Sequence, residues 1–358
     1  MSMYRFIRPL LFKLEPETAH RLTLQLIRLG GVQPFESILR LFYAAPLRPV
    51  EAFGLHFNNP VGLAAGYDKD GLAWRGLSTL GFGHIEIGTV TPLAQAGNPK
   101  PRIFRLAEDE GVINRMGFPG QGAEAVMQTL RRSTRRGGIN LWTGARTSAP
   151  ARRPASVILG VNIGKNKQTP NEEAVFDYLA LLQNFAPLAD YLAINVSSPN
   201  TVGLRRLQER ETLEELLRQM ASQREMEEKK LEKHVPLLVK LAPDLMEAEL
   251  EEALEAILRT GMDGVIVTNT SLGREGLKSS QREESGGLSG RPLGRLSEEM
   301  LSRTIKKLDG RLPVVSVGGI MSPEDAKRRL NMGAALVQVY TGLVYAGPGL
   351  VRKIIRVV

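Results

Sequence analysis

The chain has 358 residues, of which 42% are apolar, and its formal net charge is +9. It contains no cysteine, which excludes disulfides, thiolate metal sites, cysteine-ligated iron–sulfur clusters and a cysteine nucleophile or base. Residues 131–156 hold seven arginines and neither an acid nor a lysine, so the excess positive charge is local, and we expect no nucleic-acid partner.

The first 45 residues predict a helical extension that precedes the main domain. Met3, Phe6, Ile7, Leu10, Leu11 and Leu14 recur at the spacing of one helical face, although Pro9 complicates a continuous helix. A second amphipathic helix is predicted from Pro16 to Gly30. The pattern therefore predicts a helical hairpin, and it leaves two interpretations open: a cap packed on the main domain, or an apolar surface that lies on a membrane.

From about residue 53 onward, short apolar runs alternate with helical patterns. Alternation of this kind predicts a (β/α)8 TIM barrel over residues 46–358, with an open doubly wound sheet as the alternative. The predicted strands are Val61–Ala65, Gly83–Val90, Val157–Ile163, Tyr191–Val196, Pro236–Leu241, Gly264–Asn269, Leu312–Val317 and Ala334–Tyr340. The predicted helices are Asn171–Leu188, Thr212–Lys233, Leu245–Thr260, Ser297–Leu308 and Ser322–Met332.

Two stretches interrupt the alternation. The basic insert 131–156 is rich in Gly, Ser, Thr, Arg and Pro from residue 133 onward, which predicts a long surface loop. Ser271–Leu293 contains five glycines and follows the sixth predicted strand directly, so we interpret it as a mobile lid over an active site. An ordinary flexible connection is the alternative.

The polar residues that follow the predicted strands indicate one site, because the catalytic face of a TIM barrel lies at the carboxyl ends of its strands. Asparagines and lysines recur there, which suits a flat heterocycle with amide-like edges and a developing anion beside Lys240. Gly318-Gly319 and Thr341-Gly342 suit a phosphate-binding nest. No histidine follows a strand and no acidic cluster occurs there, so we expect no metal.

Five motifs then carry a resemblance to a known family. They are Asn114-Arg115-Met116-Gly117-Phe118, Asn162-Ile163-Gly164-Lys165-Asn166, Asn195-Val196-Ser197-Ser198-Pro199-Asn200-Thr201, Val267-Thr268-Asn269-Thr270 and Gly287-Leu288-Ser289-Gly290-Arg291-Pro292. Together and in this order they resemble the signature segments of the class 2, quinone-dependent and membrane-associated dihydroorotate dehydrogenases. The resemblance covers about residues 3–130 and 157–356, and the basic insert departs from it by some 20 residues.

The resemblance implies that dihydroorotate is oxidised to orotate in pyrimidine biosynthesis, with Ser198 as the base and FMN as the hydride acceptor. It assigns to the substrate Lys69, Asn114, Arg115, Met116, Gly117, Phe118, Asn195, Asn200, Asn269 and Thr270. It assigns to FMN Ala65, Gly66, Tyr67, Asp68, Lys69, Thr89, Asn162, Asn195, Lys240, Thr268, Gly290, Gly319, Tyr340 and Thr341.

The resemblance also implies an electron acceptor and a location. In class 2 the N-terminal hairpin forms a membrane-facing tunnel for ubiquinone or menaquinone, and we expect a peripheral protein on the cytoplasmic face of a bacterial inner membrane. Class 1 relatives and the rival FMN barrels that act on RNA, the dihydrouridine synthases, rely on a cysteine that this chain lacks. A basic membrane- or RNA-binding barrel without activity is the non-enzymatic alternative.

Overall fold

The computed structural model describes residues 4–135, 157–201 and 203–358. Most of the basic insert lies outside the described residues. Its first part does not begin a loop at 131, because the preceding helix continues to Arg135.

Thirteen strands are present in the described part of the chain. They are β1 (Val50–Ala52), β2 (Leu55–Phe57), β3 (Val61–Leu63), β4 (His84–Val90), β5 (Ile103–Leu106), β6 (Gly111–Asn114), β7 (Ile158–Ile163), β8 (Tyr191–Asn195), β9 (Leu237–Leu241), β10 (Gly264–Val267), β11 (Gly287–Gly290), β12 (Val314–Val317) and β13 (Leu336–Val339).

The same residues form twelve α-helices. They are α1 (Tyr4–Lys13), α2 (Pro16–Leu29), α3 (Phe35–Tyr43), α4 (Trp74–Ser78), α5 (Gly122–Arg135), α6 (Ala174–Phe185), α7 (Arg210–Leu231), α8 (Glu247–Arg259), α9 (Gly294–Leu308), α10 (Pro323–Asn331), α11 (Thr341–Ala346) and α12 (Leu350–Ile355).

Eight parallel strands close into a barrel in the order β3-β4-β7-β8-β9-β10-β12-β13, with β13 returning to β3. The predicted (β/α)8 barrel and its eight strands are confirmed, and the open sheet is excluded. Strand residues are buried almost throughout because helices cover the outside of the ring, which is why the strands read as continuous apolar runs. The short β1–β2 hairpin places Phe53 and Phe57 against residues of the barrel interior, near the amino ends of the strands.

A second, antiparallel sheet of three strands in the order β11-β6-β5 stands beside the barrel. Its strand β11 lies within the predicted lid. The lid segment is anchored at several further points: Ser271 and Leu288 exchange two backbone hydrogen bonds, and the Asp109 carboxylate accepts from the amides of Lys278 and Ser279 at 2.9 and 3.0 Å.

The N-terminal extension contains three helices where two were predicted. Helix α1 runs through Pro9, and α3 is an additional element. The extension packs on the barrel through specific polar contacts: the Tyr4 hydroxyl donates to the Val344 carbonyl at 2.5 Å, and Glu17 on α2 accepts two hydrogen bonds from Arg102 at 2.8 and 3.1 Å.

These helices leave many large apolar side chains exposed to solvent. The exposed set on the helices is Phe6, Ile7, Leu10, Leu22, Leu26, Leu29, Phe35, Ile38, Leu41 and Phe42, and Leu14 between α1 and α2 is exposed as well. Within the described residues, no helix is both long and apolar enough to cross a membrane.

Candidate active site

A cleft opens at the carboxyl ends of the barrel strands, with about 1090 Å³ of space free of protein atoms when the solvent at its mouth is included. A concave site with apolar walls and a few convergent polar groups is the usual form of a cofactor or substrate site. Each of β3, β4, β8, β9, β10, β12 and β13 supplies lining residues at or just beyond its end, as the barrel fold predicts.

Most of the predicted site residues line this cleft. The lining includes Ala65, Gly66, Lys69, Thr89, Asn114, Met116, Gly117, Phe118, Asn195, Ser198, Asn200, Lys240, Thr268, Asn269, Thr270, Gly290, Gly319, Tyr340 and Thr341.

Four predicted residues do not line it. Arg115 forms an ion pair with Glu284 at 2.6 Å, and its guanidinium lies over the Phe104 ring at 4.5 Å. Tyr67 lies behind the lining residue Tyr340, and the buried Asp68 carboxylate accepts from two backbone amides. Asn162 is the fourth, and it supports the lining from beneath.

A hydrogen-bond network orders the asparagines of the cleft. The Asn162 oxygen accepts from the Thr89 hydroxyl at 2.5 Å and from the Asn195 amide at 3.1 Å. Asn269 donates in turn to the Asn195 oxygen at 3.2 Å and to Ser197 at 3.0 Å. Because each carboxamide is held by its neighbours, the donors and acceptors that face the cleft have fixed orientations.

A second pair of asparagines lies across the cleft, where Asn200 donates to the Asn114 oxygen at 3.2 Å. Asn114 is the last residue of β6 and donates to the Gly287 carbonyl of β11 at 3.4 Å. The antiparallel sheet therefore adds Asn114 to the polar groups that the barrel residues supply to the cleft.

Ser198 follows β8 and is 4% exposed. Its hydroxyl oxygen accepts from the backbone N–H of Asn200 at 3.2 Å. Three residues further along, the Thr201 hydroxyl is buried and has no hydrogen-bond partner among the described residues. A buried hydroxyl without a protein partner suits a position where water or a transferred proton is accommodated.

Lys69 provides a cation at the cleft. Its ammonium donates to the Gly66 carbonyl at 2.7 Å, and burial lowers its pKa to about 8. A lysine of this kind is charged at neutral pH and loses its charge in mildly alkaline solution.

The glycines after β12 and β13 fit a phosphate. Gly319 has a φ of +72°, and a Cβ there would lie 2.2 Å from the Cα of Gly294; a Cβ on Gly342 would lie 2.2 Å from the Ile320 carbonyl oxygen. Only glycine allows the backbone to approach the start of α9 so closely at position 319 and Ile320 so closely at position 342. The backbone amides of Gly318 and Gly319 donate no hydrogen bond within the described part of the chain. The donor set therefore fits a phosphate group.

Sequence reasoning missed two buried polar residues at the floor of the cleft, of which Gln338 is part of the lining and Glu86 is not. Glu86 on β4 and Gln338 on β13 are 0% and 1% exposed, and the Lys240 ammonium lies 3.6 Å from the Glu86 carboxylate. Gln338 is the one polar residue of β13, whereas β4 also contains His84 and Thr89, so Glu86 does not stand out within its strand.

The N-terminal extension reaches the rim of the cleft through aromatic contacts. The His20 ring on α2 meets the Tyr67 ring edge-on at 5.0 Å, and Tyr67 meets Tyr340 at 5.6 Å. Burial lowers the pKa of His20 to about 4, so the imidazole is neutral at physiological pH. A continuous, uncharged path thus joins the extension to a residue that lines the cleft.

The described residues contain no group of three or more His, Asp or Glu side chains that could hold a metal ion.

Comparison with known proteins identifies the family. A family model described as dihydroorotate dehydrogenase matches residues 49–358. A protein of Idiomarina loihiensis named dihydroorotate dehydrogenase (quinone) is 46% identical over 353 residues, covering 99% of this chain and 99% of that protein. One of the same name from Halorhodospira halophila is 47% identical over 355 residues, covering 99% of this chain and 97% of that protein.

A solved structure agrees with these sequence comparisons. The crystal structure of DHODH from Eimeria tenella in complex with ferulenol is similar with a TM-score of 0.83 at 40% identity, covering 95% of this chain and 90% of that one. The chain belongs to the dihydroorotate dehydrogenase family.

Proposed function

We propose that this protein oxidises dihydroorotate to orotate, with FMN as its cofactor and a membrane quinone as the final electron acceptor. The observation that carries the proposal is one cleft in which Ser198, ordered asparagines, two lysines and a phosphate-binding nest meet. The curated relatives described above bear the name of this quinone-dependent activity.

The substrate loses a proton from C5 and a hydride from C6, which leaves the double bond of orotate. When bound, FMN supplies the hydride acceptor. Ser198 removes the proton, and a serine hydroxyl is so weak a base that it must pass a proton onward as it receives one. The buried Thr201 hydroxyl is a candidate for the next group on that path, because it lacks a partner among the described residues.

The remaining residues bind and orient. Asn114, Asn195, Asn200 and Asn269 offer donors and acceptors that complement the amide edges of a dihydropyrimidine. The Lys69 ammonium binds the substrate carboxylate. The Lys240 ammonium stabilises the negative charge that develops next to Lys240 during the reaction. Tyr67, Asp68 and Asn162 act from behind the lining, and Arg115, through its ion pair with Glu284, holds the segment that bears β11.

The extension, residues 1–45, brings the quinone to the barrel domain, residues 46–358. Exposed apolar side chains on α1, α2 and α3 suit insertion into a membrane surface, and the exposed Arg5, Arg21 and Arg28 suit its anionic headgroups. The aromatic path from His20 to Tyr340 lies where electrons would leave the cleft. We place the protein on the cytoplasmic face of a bacterial inner membrane, with ubiquinone or menaquinone as acceptor.

The deciding experiment is an anaerobic absorbance measurement of the purified protein. We expect an oxidised flavin band that bleaches on addition of dihydroorotate and returns when a short-chain quinone is added. A flavin that stays oxidised with dihydroorotate would contradict the substrate, and protein that neither carries nor takes up flavin would contradict the cofactor.

The membrane contact has its own test, which is co-sedimentation with vesicles of mixed neutral and anionic phospholipid. The double variant Leu10→Asp, Leu26→Asp should lose most of its vesicle binding because it places charge on the apolar face. Phe176→Asp is the matched control, since Phe176 is 66% exposed but lies on barrel helix α6. Equal binding by all three proteins would contradict the proposed surface.

A further inference from the structure

One arginine is buried behind the glycines of the phosphate-binding nest. Arg329 on α10 is 0% exposed and does not line the cleft. Its Nη2 lies 2.9 Å from the Gly294 carbonyl oxygen, 3.1 Å from the Gly318 carbonyl oxygen and 2.8 Å from the Ser297 hydroxyl. The two hydrogens of this nitrogen are therefore shared among three acceptors. The Nε of Arg329 donates to the Glu298 carboxylate at 3.2 Å.

The Ser297 hydroxyl reinforces the same two carbonyls. It lies 2.7 Å from the Gly318 oxygen and 3.0 Å from the Gly294 oxygen. Ser297 is also 0% exposed, and it stands in the first turn of α9, which begins at Gly294. A buried pair of side chains, Arg329 and Ser297, thus joins the loop after β12 to the start of α9.

The loop after β12 depends on such support, because it consists of two glycines. Gly318 and Gly319 have φ values of +110° and +72°, and neither has a side chain that could fix its own peptide plane. The orientation of their carbonyl and amide groups must therefore be set by neighbouring groups. For the Gly318 carbonyl, those neighbours are Arg329 and Ser297.

A fixed Gly318 carbonyl also fixes the direction of the next amide. In a trans peptide, the C=O of one residue and the N–H of the next point in opposite directions, and the bond between Gly318 and Gly319 is trans. Since this carbonyl faces Arg329, the Gly319 N–H is directed away from Arg329. No residue in the described part of the chain accepts a hydrogen bond from it. Gly319 is half-buried and lines the cleft, so a ligand bound there can supply the missing acceptor.

We propose that Arg329 and Ser297 position the phosphate-binding nest: they hold the Gly318 carbonyl away from the cleft and thereby direct the next amide to the phosphate of FMN. The inference rests on the proposed function, since it takes FMN as the cofactor. Arg329 does not touch the cofactor and acts through the backbone. An amide that already points at the phosphate needs no reorientation when FMN binds, and the affinity is higher for that reason.

Arg329→Gln removes this support and leaves a neighbouring bond in place. The glutamine Nε2 occupies the position of the arginine Nε, so it can still donate to Glu298, which also keeps Arg328 at 3.3 Å. The two Nη atoms are lost, of which Nη1 donates to Ser316 at 3.3 Å. The Gly318 carbonyl then keeps one donor of two, and its peptide plane can turn. Arg329→Lys is the rescue variant, because an ammonium has three hydrogens for the three acceptors that Nη2 meets.

The experiment compares FMN with riboflavin, which has the same ring and ribityl chain but no phosphate. Quenching of flavin fluorescence by the full-length protein, freed of bound flavin, gives both dissociation constants. We expect wild type to prefer FMN about a hundredfold or more, because riboflavin lacks the charge-assisted hydrogen bonds of the phosphate. In Arg329→Gln the preference should fall about tenfold or more through weaker FMN binding, with riboflavin binding changed less than about twofold. Arg329→Lys should keep the preference within about threefold of wild type.

Arg224→Gln is the matched control, because it removes the Nη atoms of another largely buried guanidinium. Arg224 on α7 donates to the Asp263 carboxylate at 2.7 Å and to the Gly261 carbonyl at 3.1 Å. Both partners precede β10 and therefore lie at the amino ends of the barrel strands, opposite the cleft. Arg224→Gln should keep the wild-type preference for FMN.

The possible outcomes are distinct. An unchanged preference in Arg329→Gln would overturn the inference, and so would an equal loss of affinity for both flavins, which indicates a general structural role. Failure of Arg329→Lys to restore the preference, or an equal loss of preference in Arg224→Gln, would also overturn it. Wild-type protein that binds neither flavin would instead refute the proposed function itself.

A second variant covers the case in which Arg329→Gln does not fold. Ser297→Ala removes the other donor to the Gly318 carbonyl and should lower the preference for FMN about threefold or more. A full wild-type preference in Ser297→Ala would then overturn the inference.

Discussion

Raising the pH from 7 to 9 should weaken the binding of orotate about tenfold, because it removes the charge of Lys69. Burial lowers the pKa of Lys69 to about 8. About nine-tenths of the side chain is therefore protonated at pH 7 and about one-tenth at pH 9. If the ammonium holds the substrate carboxylate, the charged form binds and the neutral form does not. Binding is therefore strong below pH 8 and is lost as the pH rises through that value.

The measurement is the dissociation constant of orotate between pH 6.5 and 9, followed through the absorbance change of the oxidised flavin. Two variants separate Lys69 from other titrating groups. Lys69→Gln should bind orotate weakly at every pH, whereas Lys69→Arg should bind with little dependence on pH, because a guanidinium keeps its charge throughout this range. A wild-type constant that does not change, or a Lys69→Gln profile that follows that of wild type, would refute the reasoning.

Three further predictions concern the base, the phosphate nest and the extension. Ser198→Ala should retain FMN but slow flavin reduction by dihydroorotate about 10²–10⁴-fold in stopped-flow measurements, and an unchanged rate would remove Ser198 from the mechanism. Gly319→Ala should weaken FMN binding by more than about tenfold in a fluorescence titration. Gly310→Ala is the control and should not weaken it, since Gly310 has a similar φ of +74° but nothing within 4 Å of an added Cβ. Equal losses of affinity in the two variants would contradict the assignment of Gly319 to the phosphate-binding nest. Glu17→Gln should lower the free energy of unfolding in urea by about 3 kcal/mol, because it leaves a buried guanidinium without its carboxylate. Glu215→Gln, which removes one partner of the exposed ion pair with Arg218, is the control and should lower the free energy of unfolding by less than about 1 kcal/mol.

The barrel could be predicted from the sequence because its strands are covered on both faces. An apolar run such as Tyr191–Val196, bounded by polar residues, has few interpretations other than a buried parallel strand. The location of the cleft could be predicted for the same reason, since the residue after each such run must lie at the carboxyl ends of the barrel strands. The resemblance then supplied the roles of those residues.

The elements that were missed depend on partners that are distant in sequence. Strand β11 pairs with β6 across more than 170 residues, and it has four residues of which two are glycines, so it carries no periodic pattern of its own. The third helix, α3, is different, because Phe35, Ile38, Leu39 and Phe42 recur at helical spacing over its nine residues, and this local pattern was available but was not used. Glu86 and Gln338 were hidden because a polar residue inside a strand predicts a site only once its neighbours in space are known.

Because of how the N-terminal extension is attached, the extension and the barrel can vary independently of each other. The barrel closes with strands that lie between Val61 and Val339, and α1, α2 and α3 add no strand to it. Changes in these helices therefore reach the barrel through side-chain contacts such as that of Glu17 with Arg102, and they leave the register of the strands untouched. If the extension serves the membrane and the quinone as proposed above, a change of membrane or electron acceptor can be met within the first 45 residues without a change to the strands that carry the pyrimidine chemistry.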